Sequence, residues 1–515
     1  MMQNVEQVDQ AEDTNLTIFV VQYNLIYIAP LFCFYLGGMI MKLYELKNGK
    51  LLNIKISSNN QSAEAPVIEW DKLVLIPIED YIFIANSFTN KYLIVENNLL
   101  SDDRIIKILK DNKYLETPNK ENMGYFKDLV LKDNKFEKFI SFILAPSYAC
   151  NLNCPYCYQQ HDKTLNKMKI SAENEENFYK VVEEVMNWGK DKGLHFDMGL
   201  FGGEPLLIQN EHIINNMFEF CRRKKMKVDI TTNGTNIKYF LKKLVLYRNI
   251  ISTIYTTVDS IEYNEITRHS ILSLEESNAN NILADVKILL KYGVNVTVAS
   301  NIDSSNIDSM FNTYKYLKDN GYFEFKNFNW QIGRVDDRLY ETGYDKIISE
   351  GEILSQFIKI KEESRKDNIE NITPAFIKTS YNISKALGLD IEQKETRGEY
   401  SYCWNNSNKD RVFYVDNNLD TYRCTYTVGR PKHKIFKFSI DNVKENIVNE
   451  SYFSYLSEDK CKNCKIGGFC SGGCSLSRRV DFDKFCRNEL EYFDDFCNKV
   501  LTPELKKIVS NTNYF

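Results

Sequence analysis

Cys150-Asn151-Leu152-Asn153-Cys154-Pro155-Tyr156-Cys157-Tyr158 gathers three thiols at CxxxCxxC spacing. Thiols crowded in this way are metal ligands far more readily than disulfide partners, which a secreted framework spreads through a small domain. A structural zinc site takes four ligands, commonly in CxxC pairs. The trio is one short, and His161 is the nearest residue that would complete it. Three thiolates instead suit three corners of a four-iron cluster, with one iron left open. The apolar run at 139–145 in front of the loop reads as a buried strand. The thiols therefore follow the carboxyl end of a strand, where ligands gather in parallel α/β sheets.

Downstream, strand-like and helix-like stretches alternate. Strands are expected at 195–201, 227–231, 252–258, 294–299 and 324–330, with helices between them. The first helix has Ser171 as its cap and a stripe of Phe178, Val181, Val182 and Val185. Six βα units fall short of a closed eightfold barrel. Upstream, residues 41–137 combine strand-like runs at 73–77 and 91–95 with an amphipathic helix carrying Ile105, Ile106, Ile108 and Leu109 behind Asp102-Asp103. This predicts a small α+β module. Residues 346–400 read as a charged, mostly helical connection, and a second cysteine-rich region follows.

The chain of 515 residues is long enough for two to four domains. With 43% hydrophobic and 26% charged residues it is globular in composition, and a net charge of -5 without a long basic run argues against a nucleic-acid groove. Most of the thirteen cysteines fall in two stretches, a pattern that predicts a reducing cytoplasm. Five histidines form no HExxH or nucleophile–base pair readable from spacing, which disfavours hydrolytic and zinc-peptidase classes. Residues 17–41 carry no charge and are long enough to span a membrane, but Gln22, Asn24, Pro30 and the acidic residues before them weaken an anchor. Gly37-Gly38 must be encoded by codons resembling a ribosome-binding site just ahead of Met41. The expectation is that residues 1–40 are a misassigned start, with an N-terminal membrane anchor as the disfavoured alternative.

The cysteine loop, together with Gly202-Gly203-Glu204-Pro205 after the second strand, closely resembles the radical S-adenosylmethionine (radical SAM) enzymes. The resemblance implies a partial (β/α)6 barrel. Cys150, Cys154 and Cys157 would hold a [4Fe-4S] cluster whose open iron is chelated by S-adenosyl-L-methionine, cleaved by one electron to a 5'-deoxyadenosyl radical. It further implies that Tyr158 packs beside the adenine, with Tyr156 also at the cofactor, and that the Gly202–Pro205 segment offers acceptors to the SAM ammonium. Thr232 and Asn233 would lie near the ribose and methionine. Thr257-Val258-Asp259-Ser260 resembles the family's S-L-D-G segment with Thr for Ser and Ser for Gly, which implies that the downstream Arg268 pairs with the carboxylate and that Thr257 is a further contact. A surface arginine is the alternative for Arg268.

Cys461-x2-Cys464-x5-Cys470-x3-Cys474 resembles the SPASM extension, which carries auxiliary iron–sulfur clusters. The resemblance implies two: one on Cys403, Cys424 and Cys474, the other on Cys461, Cys464, Cys470 and either Cys486 or Cys497. Some relatives have a further cysteine shortly after the first, where this chain has Trp404-Asn-Asn-Ser-Asn-Lys409, so the first auxiliary cluster is expected to have an open iron unless Cys497 supplies the ligand. Leu419 stands where the family usually has glycine, so a different local turn is expected. Asp416 and Asp420 read as turn residues, and no catalytic residue is assigned. A structural zinc module is the alternative for this region.

The expected organisation is therefore 1–40 as above; 41–137 the α+β module, resembling peptide-recognition segments of related enzymes; 138–345 the radical SAM barrel; 346–400 a connector; 401–500 the SPASM domain; and 501–515 a tail. The expected activity is maturation of a ribosomally synthesised peptide by crosslinking or oxidation. The runner-up is formylglycine formation on sulfatases, weakened because Thr425 replaces the Asp typical of that branch. A metal-stabilised peptide-binding protein without SAM chemistry is the third reading. Expected partners are a precursor peptide or protein and a low-potential electron donor such as ferredoxin or flavodoxin, with no nucleic acid and no membrane.

Overall fold

The computed structural model describes residues 43–54, 68–133, 135–159, 169–271, 277–391, 399–403, 410–449 and 454–511, with the backbone of 35–36 and 39–40. Both readings of the N-terminal segment, His161 and the stretch 404–409 lie outside the described residues. The chain divides into two units, residues 1–41 and essentially all that follows. In the first, β1 (Tyr35–Leu36) pairs antiparallel with β2 (Met39–Ile40). Among the described residues no helix is long and apolar enough to cross a membrane.

The second unit begins with an antiparallel sheet of β3 (Leu43–Lys47), β4 (Lys50–Asn53), β5 (Val74–Ile78), β6 (Tyr81–Asn86) and β7 (Lys91–Glu96), in the order β4-β3-β7-β6-β5. The helix Asp103–Asp111 follows and buries Ile105, Ile106, Ile108 and Leu109, the stripe expected for it. Asp102 caps it by accepting the Arg104 N–H. The α+β character expected of this segment is present.

The site-bearing sheet is built from β8 (Phe139–Ala145), β9 (His195–Leu200), β10 (Val228–Thr232), β11 (Ile251–Thr257), β12 (Val296–Ile302) and β13 (Phe328–Arg334), parallel and in chain order. Val228, Ile230, Ile251, Ile254, Val296 and Val298 are buried, as β-branched residues on a doubly covered parallel sheet should be. The helix Ala172–Gly189 is capped by Ser171, which accepts the Asn174 N–H, and buries Phe178, Val181, Val182 and Val185. This is a mixed α/β architecture with a cysteine-rich C-terminal region.

Four features differ from the sequence expectation. The last of the six strands starts at Phe328, because Tyr322–Glu324 forms a 3-10 turn after the left-handed Gly321. The connector contains a seventh parallel strand, β14 (Ile372–Pro374), at the edge of the sheet, where a proline costs no ladder bond. Residues 501–515 are not a mere tail: the helix Thr502–Asn511 buries Leu505 and Val509. Lastly, the C-terminal region shares the sheet. β15 (Asp410–Asp416) runs parallel to β8 through seven paired residues, Asp410↔Phe139 to Asp416↔Ala145, and β16 (Asp420–Tyr422) and β17 (Phe436–Lys437) continue antiparallel. The strand order is open, ending in β14 on one side and β17 on the other.

The β15–β16 turn keeps a glycine-like shape without glycine. Leu419 sits at φ +60°, and Asp416 accepts N–H bonds from Asn418 and Asp420. A leucine in that region costs on the order of 1 kcal/mol. Asp416 is thus a turn residue, as read from the sequence.

The N-terminal sheet packs directly on the C-terminal cysteine segment. Phe88 is fully buried, lying 6.5 Å from Tyr455 and 6.2 Å from Phe126 between ring centroids. Gly468 donates its N–H to Ser87 Oγ at 3.1 Å, and a Cβ at Gly468 would stand 1.9 Å from the Ser87 carbonyl oxygen. Gly468→Ala is expected to destabilise the chain by about 1–3 kcal/mol, the cost of overpacking. A lowered thermal midpoint checks this; an unchanged midpoint contradicts the close approach.

Candidate functional site

The loop after β8 is clasped from both sides. On one, Gly203 donates its N–H to the Ser147 carbonyl (3.1 Å) and Glu204 to that of Ala149 (2.8 Å). A Cβ at Gly203 would lie 2.3 Å from the carbonyl oxygens of both Tyr148 and Ala149, and Gly202 adopts φ +126°, so the two glycines permit this approach. On the other side, Leu152 bridges Ser270, Asn153 donates to the His269 carbonyl (2.9 Å) and Ile271 to that of Asn151 (2.9 Å). The three thiols are thereby fixed between the end of β9 and the segment 268–271.

Burial pushes the Cys150 thiol up to about 12, with the Glu204 charge adding to it. Cys154 is pushed up to about 11, opposed by the Arg268 charge. Such thiols stay protonated at neutral pH until a metal's charge displaces the proton. Asn233 Nδ2 reaches Cys150 Sγ (3.8 Å) and Asn151 Oδ1 (2.8 Å), which brings the end of β10 to the loop.

Glu204 is almost completely buried. Its Oε1 accepts from Thr232 Oγ1 (2.6 Å) and the Leu206 N–H (2.7 Å), and its Oε2 from the Asn233 N–H (2.5 Å). Burial raises its pKa, opposed by those donors. Glu204, Thr232 and Asn233 thus form one polar wall beside the loop. Thr257, half-buried, ends β11.

Arg268 is no surface arginine; it is 7% exposed. Its Nη1 donates to Tyr156 Oη (2.9 Å), whose hydroxyl donates to Asp259 Oδ2 (2.6 Å). Burial opposes its charge, but Tyr156, Cys154 and Asp259 outweigh that and hold it well above the usual value. Among the described residues its Nε has no hydrogen-bond partner. A buried guanidinium with an unused donor beside the cysteine loop fits an anionic group of a bound cofactor. Tyr156 is therefore in this polar cluster, whereas the Tyr158 ring stacks on Tyr426 of the C-terminal region at 4.2 Å between centroids.

The C-terminal thiols fall into two sets. Cys461, Cys464, Cys470 and Cys486 line one cavity of about 330 Å³, together with Glu489. Cys497 is not among the residues lining it; its electrostatic neighbours are Asp494 and Lys465. Of the two alternatives for the last ligand, the geometry brings Cys486 to the others and not Cys497. Cys403 and Cys424 pack with Cys474 around Leu339, Tyr402 and Phe485, and the Cys424 thiol interacts electrostatically with both other thiols. Among the described residues no three His, Cys, Asp or Glu side chains stand close enough to hold a single metal ion. A cavity of this volume ringed by four thiols suits a body larger than one ion.

Sequence reasoning missed several residues here. Asp259, two residues after Thr257, was given no role. Arg338 donates from Nη1 to Tyr402 Oη (2.8 Å) and from Nη2 to Asp336 (2.5 Å), and Tyr402 donates to Glu489 Oε1 (2.9 Å). No motif marks them: Asp336 is local to Arg338, but Tyr402 and Glu489 are distant in sequence.

Residues 144–317 match the family model described as the Radical SAM superfamily. A cysteine-type anaerobic sulfatase-maturating enzyme of Clostridium novyi (strain NT) is 22% identical over 70% of this chain and 96% of its own length. The radical SAM cyclopropyl synthase TigE of Paramaledivibacter caminithermalis is 26% identical over 66% of this chain and 68% of its own. In fold, the chain is similar to anSMEcpe with bound AdoMet, with a TM-score of 0.53 and 19% identity, covering 72% of this chain and 99% of that one.

Cys486→Ala is expected to lower the iron content of anaerobically reconstituted protein by about four atoms per chain, the content of one four-iron cluster. Cys497→Ala should leave it unchanged. The reverse pattern in elemental analysis overturns the assignment.

Proposed function

We propose that this chain, an enzyme with a radical SAM catalytic domain, modifies a ribosomally synthesised peptide by crosslinking or oxidation. The observation that carries the reading is the cysteine loop held between the buried Glu204 carboxylate, which accepts from Thr232 and Asn233, and the buried donor Arg268. That arrangement suits a zwitterionic amino-acid moiety: acceptors for an ammonium on one side, a guanidinium for a carboxylate on the other.

Cys150, Cys154 and Cys157 would hold the [4Fe-4S] cluster. With SAM bound, it supplies a 5'-deoxyadenosyl radical able to remove a hydrogen atom from a substrate carbon. The protein's own work is placement. Glu204 would accept from the ammonium, and Arg268 would donate its free Nε–H to the carboxylate. Asp259 and Tyr156 hold the guanidinium in place. The buried Tyr148, with the half-buried Tyr156 and Tyr158, would keep water from the reacting atoms. Cys461, Cys464, Cys470 and Cys486 would hold one auxiliary cluster, and Cys403, Cys424 and Cys474 another.

The peptide reading is supported by the N-terminal α+β module joined to the cysteine-rich region. Another structure of the similar protein anSMEcpe contains AdoMet with the Cp18Cys peptide. The second reading, sulfatase maturation, is favoured by the likeness to the Clostridium novyi enzyme over almost its whole length. Against it stands Thr425, where a carboxylate base is expected and where the hydroxyl is instead bonded to Tyr158. A binding protein without SAM chemistry gives no reason for an unsatisfied Arg268 Nε beside three clustered thiols.

Anaerobic co-expression with a small peptide encoded by a neighbouring gene tests the proposal. The expected result is a loss of two hydrogens, about 2 Da, absent with Cys150→Ala, because one abstraction and one further oxidation leave a new bond. An unmodified peptide alongside a sulfatase peptide converted in the same cells favours the second reading.

A further inference from the structure

The cysteine loop and the segment carrying Cys424 are bound to one another at four points. Tyr148 donates to Asp416 Oδ2 (3.3 Å), and the Tyr422 hydroxyl shares that oxygen (3.1 Å). Gly429 lies flat against Tyr148, where a Cβ would stand 2.7 Å from the ring. Tyr158, next to Cys157, stacks on Tyr426, two residues from Cys424. Arg430 donates from Nη2 to the Tyr158 carbonyl (2.7 Å), while its Nη1 is paired with Glu341, which Lys432 also reaches at 3.0 Å.

The same segment is tied to the end of the parallel sheet. Tyr426 Oη donates to the Asp336 carbonyl (3.4 Å), and the Asp336 carboxylate is gripped by Arg334 and Arg338. Cys424, the residue that opens the segment, is packed with Cys403 and Cys474. Movement of Cys424 would therefore be carried through Tyr426 and Arg430 to Tyr158 and Cys157, by packed rings and a charge-assisted bond rather than by exposed loop.

We propose that Tyr426 and Arg430 are positioning residues that couple the Cys403–Cys424–Cys474 site to SAM binding at the Cys150–Cys154–Cys157 loop. Filling the first site fixes the segment 424–430, which seats the Tyr158 end of the cysteine loop. By linkage, SAM binding favours filling of the C-terminal site by the same factor. The inference rests on the radical SAM reading of the loop and extends it to residues outside the SAM pocket.

A double-mutant cycle tests it, with equilibrium SAM affinity of the full, anaerobically reconstituted chain as the readout. Cys424→Ala and Tyr426→Leu should each weaken SAM binding about tenfold, and together by little more than either alone, the signature of coupled sites. Arg430→Gln should behave as Tyr426→Leu does. Tyr426→Phe, which keeps the ring, should retain wild-type affinity, which separates positioning from loss of fold. The Tyr426 and Arg430 variants should retain wild-type iron. Additive losses in the cycle, or undiminished affinity in Tyr426→Leu and Arg430→Gln, overturn the coupling while leaving the SAM site intact. Wild-type protein loaded with iron that binds no SAM overturns the radical SAM reading and the coupling with it.

Discussion

The parallel pairing of β8 with β15 is the constraint on which the rest of the molecule depends. Both strands end in register, at Ala145 and Asp416, so the loop that follows one and the turn that follows the other leave the sheet side by side. Parallel ladders have evenly spaced bonds, and buried side chains on both faces fix their register. A slip of β15 by one residue would turn Phe413 away from Phe142, whose ring lies 5.8 Å from its own. It would also separate Tyr148 from Asp416. Two cysteine clusters, separated in sequence by the whole stretch from Cys157 to Cys403, are thus joined by one strand pair.

Around that seam the chain buries groups that are costly without partners. The Cys150, Cys154, Cys424 and Cys461 thiols are all held above their ordinary range by desolvation. Arg268, Asp259 and Tyr156 form a closed polar cluster except at the Arg268 Nε. Arg338, Tyr402 and Glu489 make a second buried cluster that reaches from beside Cys403 to the wall of the four-thiol cavity. Buried charge retained beside thiols in this way is weak evidence for stability but good evidence for a site.

The sequence carried the local part of this account. CxxxCxxC, Gly202-Gly203-Glu204-Pro205 and the spaced C-terminal cysteines are short-range patterns, and strands such as 228–232 announce themselves by β-branched residues between helical stripes. What failed was set by tertiary context. The aromatics Phe325, Phe328 and Trp330 read as one strand over 324–330, but Gly321 starts a 3-10 turn that delays it. Three residues ending in Pro374 are too few to signal an edge strand. The choice between Cys486 and Cys497 was open because both follow at plausible spacing; a helix turns only the first toward the cavity. Tyr426 and Arg430 carry no motif, and only the strand pairing brings them to Tyr158.

The most direct test of the central claim is whether the full chain, reconstituted anaerobically with iron and sulfide and then reduced, releases 5'-deoxyadenosine from SAM. The account predicts release by the wild-type chain and none by Cys154→Ala. Iron-loaded, reduced wild-type protein that leaves SAM intact, or equal release by the variant, would contradict it.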